Sequence, residues 1–239
     1  MPGSPERKVG IITGAGRGIG LAIADAMARA GFDVLLTARS VAQLKSAAKR
    51  LESHGTRVLA EACDVRDPRS VRSLFSAAKR EFKGIDVLVN NAGYAGPEQN
   101  VDEMSLEEWR TTLDTNLTGT FLCTQAALPL MRRGSTIVNN LSVAAKGGFP
   151  GMAAYVASKH GLMGFSITLR AELRPRGIRV IALMPGATDT EIWKQFWPDA
   201  PRSRMMSPAS VAGAVVNAIL LPENATVEEL VIAPTGGAL

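Results

Sequence analysis

The sequence predicts an α/β fold: one domain built on a doubly wound parallel sheet of about seven strands, with helices on both faces. Three observations predict it. Strand-length apolar runs alternate with helix-length amphipathic stretches along nearly all 239 residues, the pattern of a parallel sheet with crossover helices. The first run passes through a glycine-rich turn straight into a helix-forming stretch. Several strands end in small or amide residues, where open α/β sheets bind ligands. A 46% hydrophobic content supports a full core and no linker composition divides the chain, so residues 1–239 are expected to form a single unit.

Residues 9–13 predict the first strand, and Gly14-Ala-Gly-Arg-Gly-Ile-Gly20 leads into a helix over 21–30. In such a turn, backbone N–H groups and a helix N-terminus can face a pyrophosphate, and the missing side chains permit close approach. Gly14, Arg17, Gly18, Ile19 and Gly20 are therefore candidate dinucleotide-binding residues. The spacing is Thr-Gly-x-x-x-Gly-x-Gly; the alternative G-x-G-x-x-G would need glycine at Ile19. A second strand, 32–37, is followed by Ala38-Arg39-Ser40, at the place where this kind of fold meets the adenosine ribose. An acid there would suit NAD. Arg39, with Ser40 beside it and Arg17 in the turn, suits the 2′-phosphate of NADP(H). Ordinary surface arginines would look the same.

The pattern continues with a helix over 41–54, a strand over 57–60, and the loop Cys63-Asp64-Val65. A helix over 68–82 follows, opened by Pro68 at a tolerated first-turn position. The fourth strand, 86–90, ends in Asn90-Asn91-Ala92-Gly93. Residues 106–133 predict one long helix, with Asn116 inside it as an amide that caps a kink or reaches a neighbouring strand. The fifth strand, 135–139, delivers Ser142 from its carboxyl end. A helix over 153–176 and a sixth strand over 178–184, ending in Pro185-Gly186, come next. The last helix runs from Ser207-Pro208 through Leu220, and residues 229–232 make the final strand.

Tyr155 and Lys159, at i and i+4 of a helix, should share one face, and Ser142 can return to them through a Gly-Gly-Phe-Pro-Gly turn. A phenol with a pKa near ~10 is a poor acid or base at neutral pH, and an adjacent ammonium is expected to favour its phenolate. With Ser142 holding a substrate oxygen, the three residues would make a proton-transfer site for a carbonyl or an alcohol. A core-edge aromatic beside a solvated lysine is the commoner meaning of the pair alone.

The net charge of +5 is spread over helices that also carry Glu and Asp, which argues against a nucleic-acid partner and for mild steering of an anionic cofactor or substrate. The apolar runs are shorter than the ~20 residues of a membrane span, and the first eight residues lack a signal peptide's apolar region, so a soluble, cytoplasmic protein is expected. Cys63 and Cys123 have no metal-ligand spacing and are expected as buried free thiols.

Taken in order, Thr13-Gly14-x-x-x-Gly18-x-Gly20, Asn90-Asn91-Ala92-Gly93, Asn116, Ser142, Tyr155-x-x-x-Lys159 and Pro185-Gly186 resemble a classical short-chain dehydrogenase/reductase over essentially the whole length. The stretch 168–179 is most similar to bacterial 3-oxoacyl carrier-protein reductases. The resemblance implies a Rossmann domain reducing a ketone or aldehyde with NADPH, with a 3-oxoacyl thioester as a candidate substrate. Tyr155 would protonate the oxygen held by Ser142, Lys159 would bind the nicotinamide ribose and lower the Tyr155 pKa, and Asn116 would hold a water behind Lys159. It further implies that Asp64 and Val65 border the adenine, Asn91, Ala92 and Gly93 the adenosine side, and Pro185, Gly186 and Thr188 the nicotinamide. Residues 187–207, with Ile192, Trp193, Phe196, Trp197, Met205 and Met206, would form a substrate lid, and the chain would assemble as a homodimer or homotetramer. Arg202 and Arg204 could meet a phosphate-bearing carrier. An NAD-linked alcohol or sugar dehydrogenase and a non-catalytic NADP(H) sensor or scaffold are the competing readings.

Overall fold

Consecutive buried residues on the central strands decide the architecture. In the computed structural model, which describes residues 7–237, the strands are β1 (Val9–Thr13), β2 (Asp33–Ala38), β3 (Val58–Ala62), β4 (Ile85–Asn90), β5 (Met131–Asn140), β6 (Arg179–Pro185) and β7 (Glu229–Ile232). They form one sheet in the order β3-β2-β1-β4-β5-β6-β7, every pairing parallel. Successive side chains on a strand point to opposite faces, so each central strand needs an apolar partner on both sides. Ile12, Leu36, Val89, Val138 and Ile181 pack on one face against α1 (Gly18–Arg29), α2 (Val41–Leu51) and α7 (Pro208–Ile219). Ile11, Leu35, Leu88, Ile137 and Val180 pack on the other against α3 (Pro68–Glu81), α5 (Gly119–Ala127) and α6 (Ala153–Leu173). Each helix contributes a stripe, such as Ile23, Ala24 and Met27 of α1 or Leu162, Leu169 and Leu173 of α6. Both thiols are free and buried. The expected α/β fold with seven parallel strands is the one observed. The first six residues and the last two, which the sequence reading had included in the domain, lie outside the described residues.

Helix starts follow local chemistry. Ser40, Asp67, Ser105 and Ser207 each accept a backbone N–H of the first turn, and Pro68 and Pro208 sit where no intrahelical donor is needed. The predicted helix over 106–133 is corrected in two ways. It is broken into α4 (Leu106–Leu113), a π-helical turn (Asp114–Thr118) and α5, because the Asn116 side chain is drawn out to bond the Tyr94 backbone. It also ends earlier than predicted, since Met131 already pairs with Ile85 and begins β5. Arg132 and Arg133 are exposed there, and Gly134, at φ +86°, turns the strand so that its N–H reaches the Gly177 carbonyl.

The strand order reverses between β1 and β4, which carry consecutive crossovers to opposite sides. At such a point the strands' carboxyl ends open a crevice. Here the crevice is a cleft of about 1090 Å³.

Candidate active site

The cleft floor is made by turns that leave β1, β4, β5 and β6. Gly14 has φ +64°, and a Cβ there would meet Ala92 Cα and Asn91 Nδ2 at 2.9 Å, so this turn can lie against the β4 loop only as glycine. Gly18 is also at positive φ, +59°. Both line the cleft, with Arg17 and Ile19. Gly20 does not. A Cβ on it would stand 2.5 Å from the Gly14 carbonyl oxygen, so it holds the first turn of α1 against the glycine turn. A side-chain lattice fixes these pieces. Asn91 and Ala92 N–H donate to Thr13 Oγ1 at 2.9 and 3.0 Å, and Asn91 Nδ2 donates to the Thr13 and Gly14 carbonyls. Asn140 Nδ2 donates to Asn91 Oδ1 at 2.8 Å.

Along the neighbouring strand ends, Arg39 and Ser40 line the cleft after β2, and Cys63, Asp64, Val65 and Arg66 line it after β3. Arg17 and Arg39 are exposed, and their guanidiniums make no hydrogen bond to another described residue. Arg66 was missed by sequence reasoning. It grips Asp64 through Nε at 3.0 Å and Nη2 at 2.7 Å, and with its backbone N–H holds the Asp64 carboxyl below the usual carboxylate range. Its signal was a basic residue two places after an acid at a strand's end.

The proton-handling group assembles as expected. Ser142, Tyr155 and Lys159 all line the cleft. Ala144 N–H donates to Ser142 Oγ at 3.1 Å, leaving the Ser142 proton free to point at the phenol or at a ligand. Lys159 is buried and donates to the Asn140 carbonyl at 2.8 Å, with its Nζ 5.4 Å from the centre of the Tyr155 ring. The expected depression of Tyr155 is not what this geometry yields. Burial pushes the phenol up, with the Ser142 hydroxyl pulling the other way, and burial pushes Lys159 down to about 7. Desolvation outweighs the Ser142 hydrogen bond, so the neutral phenol is favoured.

Asn116 does not line the cleft. It is buried, its amide donates to the Tyr94 carbonyl at 2.8 Å and to Ser158 Oγ at 2.9 Å, and its Oδ1 accepts from Tyr94 N–H. Ser158 Oγ donates onward to the Tyr155 carbonyl at 2.7 Å. Asn116 thus ties the first turn of α6 to the π turn. Asn90, Asn139 and Ser166 form a second buried chain, with Asn139 Nδ2 on Ser166 Oγ at 2.9 Å, which anchors α6 to the sheet.

Pro185, Gly186, Ala187 and Thr188 line the cleft beneath residues 190–197. Trp193 Nε1 donates to the Thr188 carbonyl at 2.8 Å, and its ring stacks obliquely on Phe196 and Trp197, with centroids at 5.1 and 6.0 Å. Gln195 Oε1 accepts from Ala95 N–H at 3.0 Å, fastening this segment to the β4 loop. Met206 instead packs on the core under α7, and the methionine on the cleft wall is Met152. Arg202 is folded inward onto Asp189 Oδ1 and the Thr190 carbonyl, both at 2.7 Å.

The cleft meets the requirements of a nicotinamide dinucleotide. It has a glycine cradle, two guanidiniums left without a side-chain partner, and a buried Asn140 Oδ1 without a partner among the described residues. Among the described residues no helix is long and apolar enough to cross a membrane.

Comparison with known proteins agrees with this geometry. Residues 8–201 match the family model for short chain dehydrogenases. The chain is 36% identical over 216 residues to a 3-oxoacyl-[acyl-carrier-protein] reductase of Synechocystis sp., covering 87% of each protein. It is 36% identical over 236 residues to a sepiapterin reductase of Chlorobaculum tepidum, covering 95% of this chain and 96% of that one. In structure it is similar to an alcohol dehydrogenase of the archaeon Thermococcus sibiricus solved with 5-hydroxy-NADP, with a TM-score of 0.90, 33% identity, and 96% and 97% of the two chains covered.

Proposed function

The chain belongs to the short-chain dehydrogenase family, and from that premise we propose that it is an NADPH-dependent reductase of ketones or aldehydes. One observation carries the reading: Ser142, Tyr155 and Lys159 meet on the same cleft as a glycine turn flanked by Arg17 and Arg39. Bound NADPH would supply the hydride. The chain's own residues do the rest. Gly14, Gly18 and Ile19 cradle the diphosphate, Arg39, Ser40 and Arg17 take the 2′-phosphate, and Asp64 and Val65 border the adenine. Asn91, Ala92 and Gly93 line the adenosine side, and Pro185, Gly186 and Thr188 border the nicotinamide. Ser142, its oxygen already satisfied by Ala144 N–H, donates its proton to the substrate oxygen. Tyr155 protonates that oxygen as charge develops on it. A phenol pushed up by burial is held in its protonated form at neutral pH, which suits the reducing direction. Lys159, near half-protonated, sits behind it as the next proton carrier. Asn116 and Ser158 hold the helix turn that aims the phenol. A water behind Lys159 would meet the backbone of the π turn, because both amide hydrogens of Asn116 are already spent.

No acid stands after β2, which weighs against the NAD-linked reading, and the intact proton-handling set weighs against a sensor. A 3-oxoacyl thioester is compatible with the relatives' names. Assembly into a dimer or tetramer is proposed as well, with residues 187–207 acting as lid. In purified protein, Tyr155→Phe is expected to lower NADPH-dependent carbonyl reduction by about 10²- to 10⁴-fold, with NADPH affinity nearly unchanged. Retained turnover would remove Tyr155 as proton donor.

A further inference from the structure

The charge on the cleft wall is sorted along the strand order. The guanidiniums that line it, Arg17, Arg39 and Arg66, stand at the carboxyl ends of β1, β2 and β3. With neighbouring strands ~4.8 Å apart, the β2 end lies about 19 Å across the sheet from the β6 end. On that far side the lining side chains after β5 and β6 include Phe149, Met152, Ile192, Phe196 and Trp197. The lining cation on that side is Lys159, already bonded to the Asn140 carbonyl, and the acid is Glu191, whose carboxyl is held ionised first by Lys194 beside it, with Arg17 and Arg202 adding to the effect. Arg202, the cation best placed in sequence to serve an anionic substrate, is turned onto Asp189 and Thr190.

Two large rings in this half remain uncovered. Phe149, in the loop before α6, is 49% exposed, and Trp197, in the segment after β6, is 42% exposed. Trp197 is not loose. Its N–H bonds the Trp193 carbonyl at 2.8 Å and its ring leans on Trp193, itself pinned to Thr188. Aromatics left exposed on two segments that line the same cleft as the Tyr155 phenol are placed to contact a ligand's ring. An anion entering this half would lose its hydration while Lys159, Lys194 and Arg202 are already engaged with the Asn140 carbonyl, Glu191 and Asp189.

Resting on the carbonyl-reductase reading above, we propose that the substrate is an uncharged carbonyl compound bearing a flat ring, held between Phe149 and Trp197, and that carboxylates are rejected for want of a cation. The test compares kcat/KM for methyl 4-acetylbenzoate, 4-acetylbenzoate and 2-butanone with saturating NADPH. The neutral ester is expected to exceed its carboxylate by roughly 30-fold or more. Trp197→Ala and Phe149→Ala should each lower kcat/KM for the ester about five- to tenfold through KM, and lower that for 2-butanone far less. Phe149→Arg should narrow the gap between carboxylate and ester at least about tenfold by supplying the missing partner. Equal or better use of the carboxylate, or equal losses on ester and butanone in both alanine variants, would overturn the substrate assignment while leaving the reductase intact. Reduction of none of the three, with NADPH still bound, would overturn the substrate assignment, and failure to reduce an acetoacetyl thioester as well would overturn the reductase reading itself.

Discussion

Replacing Lys159 by methionine should flatten the pH dependence of stability between pH 7 and pH 9. The ammonium is buried, and burial lowers its pKa from 10.5 to about 7. A lysine with a depressed folded-state pKa costs stability wherever the unfolded chain would hold the proton, so the cost is full below about pH 7 and fades as pH rises toward the unfolded value. With these two values the cost is about 4 kcal/mol at pH 7 and about 2 kcal/mol at pH 9. The wild-type protein without cofactor should therefore gain about 2 kcal/mol across that interval relative to Lys159→Met. The variant leaves the Asn140 carbonyl unpaired, a penalty of roughly 1–3 kcal/mol that does not vary with pH, so the variant should be about 1–3 kcal/mol more stable at pH 7 and nearly equal at pH 9. Groups common to both proteins cancel in the difference. Urea unfolding at pH 7, 8 and 9, at one protein concentration, reads it directly. Parallel profiles for the two proteins would refute the claim that Lys159 is held part-neutral by its surroundings.

Two further outcomes test the cofactor half. Arg39→Asp should weaken NADPH binding roughly 100-fold and improve NADH relative to it, because a guanidinium is exchanged for a carboxylate where a 2′-phosphate would sit; an unchanged NADPH-to-NADH ratio by fluorescence titration would remove Arg39 from the site. Gly20→Ala should destabilise the protein by about 1–2 kcal/mol and weaken NADPH binding, since the ~1 kcal/mol gained in helix propensity is outweighed by pushing a methyl against the Gly14 carbonyl; a thermal midpoint at or above wild type would contradict that packing.

Most of the scaffold was readable because the strands are apolar runs bounded by glycine, proline and amides. β1 and β7 fall on the expected residues, and the glycine spacing pointed to the cradle. Most of the predicted lining residues, such as Arg39, Asp64, Asn91, Ser142 and Gly186, lie just past a strand's carboxyl end, which sequence order alone exposes, whereas Tyr155 and Lys159 reach the cleft from α6. Three things were not readable. The π turn at Asn116 keeps the apolar spacing of a helix, so nothing in periodicity separates it from α5. The start of β5 is hidden because Arg132 and Arg133 are solvent-facing there, like a helix's last turn. The direction of the Tyr155 shift depends on how deeply both partners are desolvated, and spacing i, i+4 carries no information about depth. Arg66 and Gln195 escaped because each acts through one long side chain reaching a partner that only the fold brings near.

The strand order has a consequence for how the chain is made. β1 lies in the middle of the sheet, flanked by β2 and β4, yet it leaves the ribosome first. Once β2 and β3 have emerged and paired, one flank of β1, with Ile11 and Ile12 destined for complete burial, stays open until residues 85–90 are synthesised. β4 in turn waits for β5, some forty residues later. A nascent chain therefore carries an unpaired apolar edge through much of its synthesis, a template for association with its own copies. Slowing translation before β4 should raise aggregation more than slowing it after α7, when only the short, half-exposed β7 remains to be added.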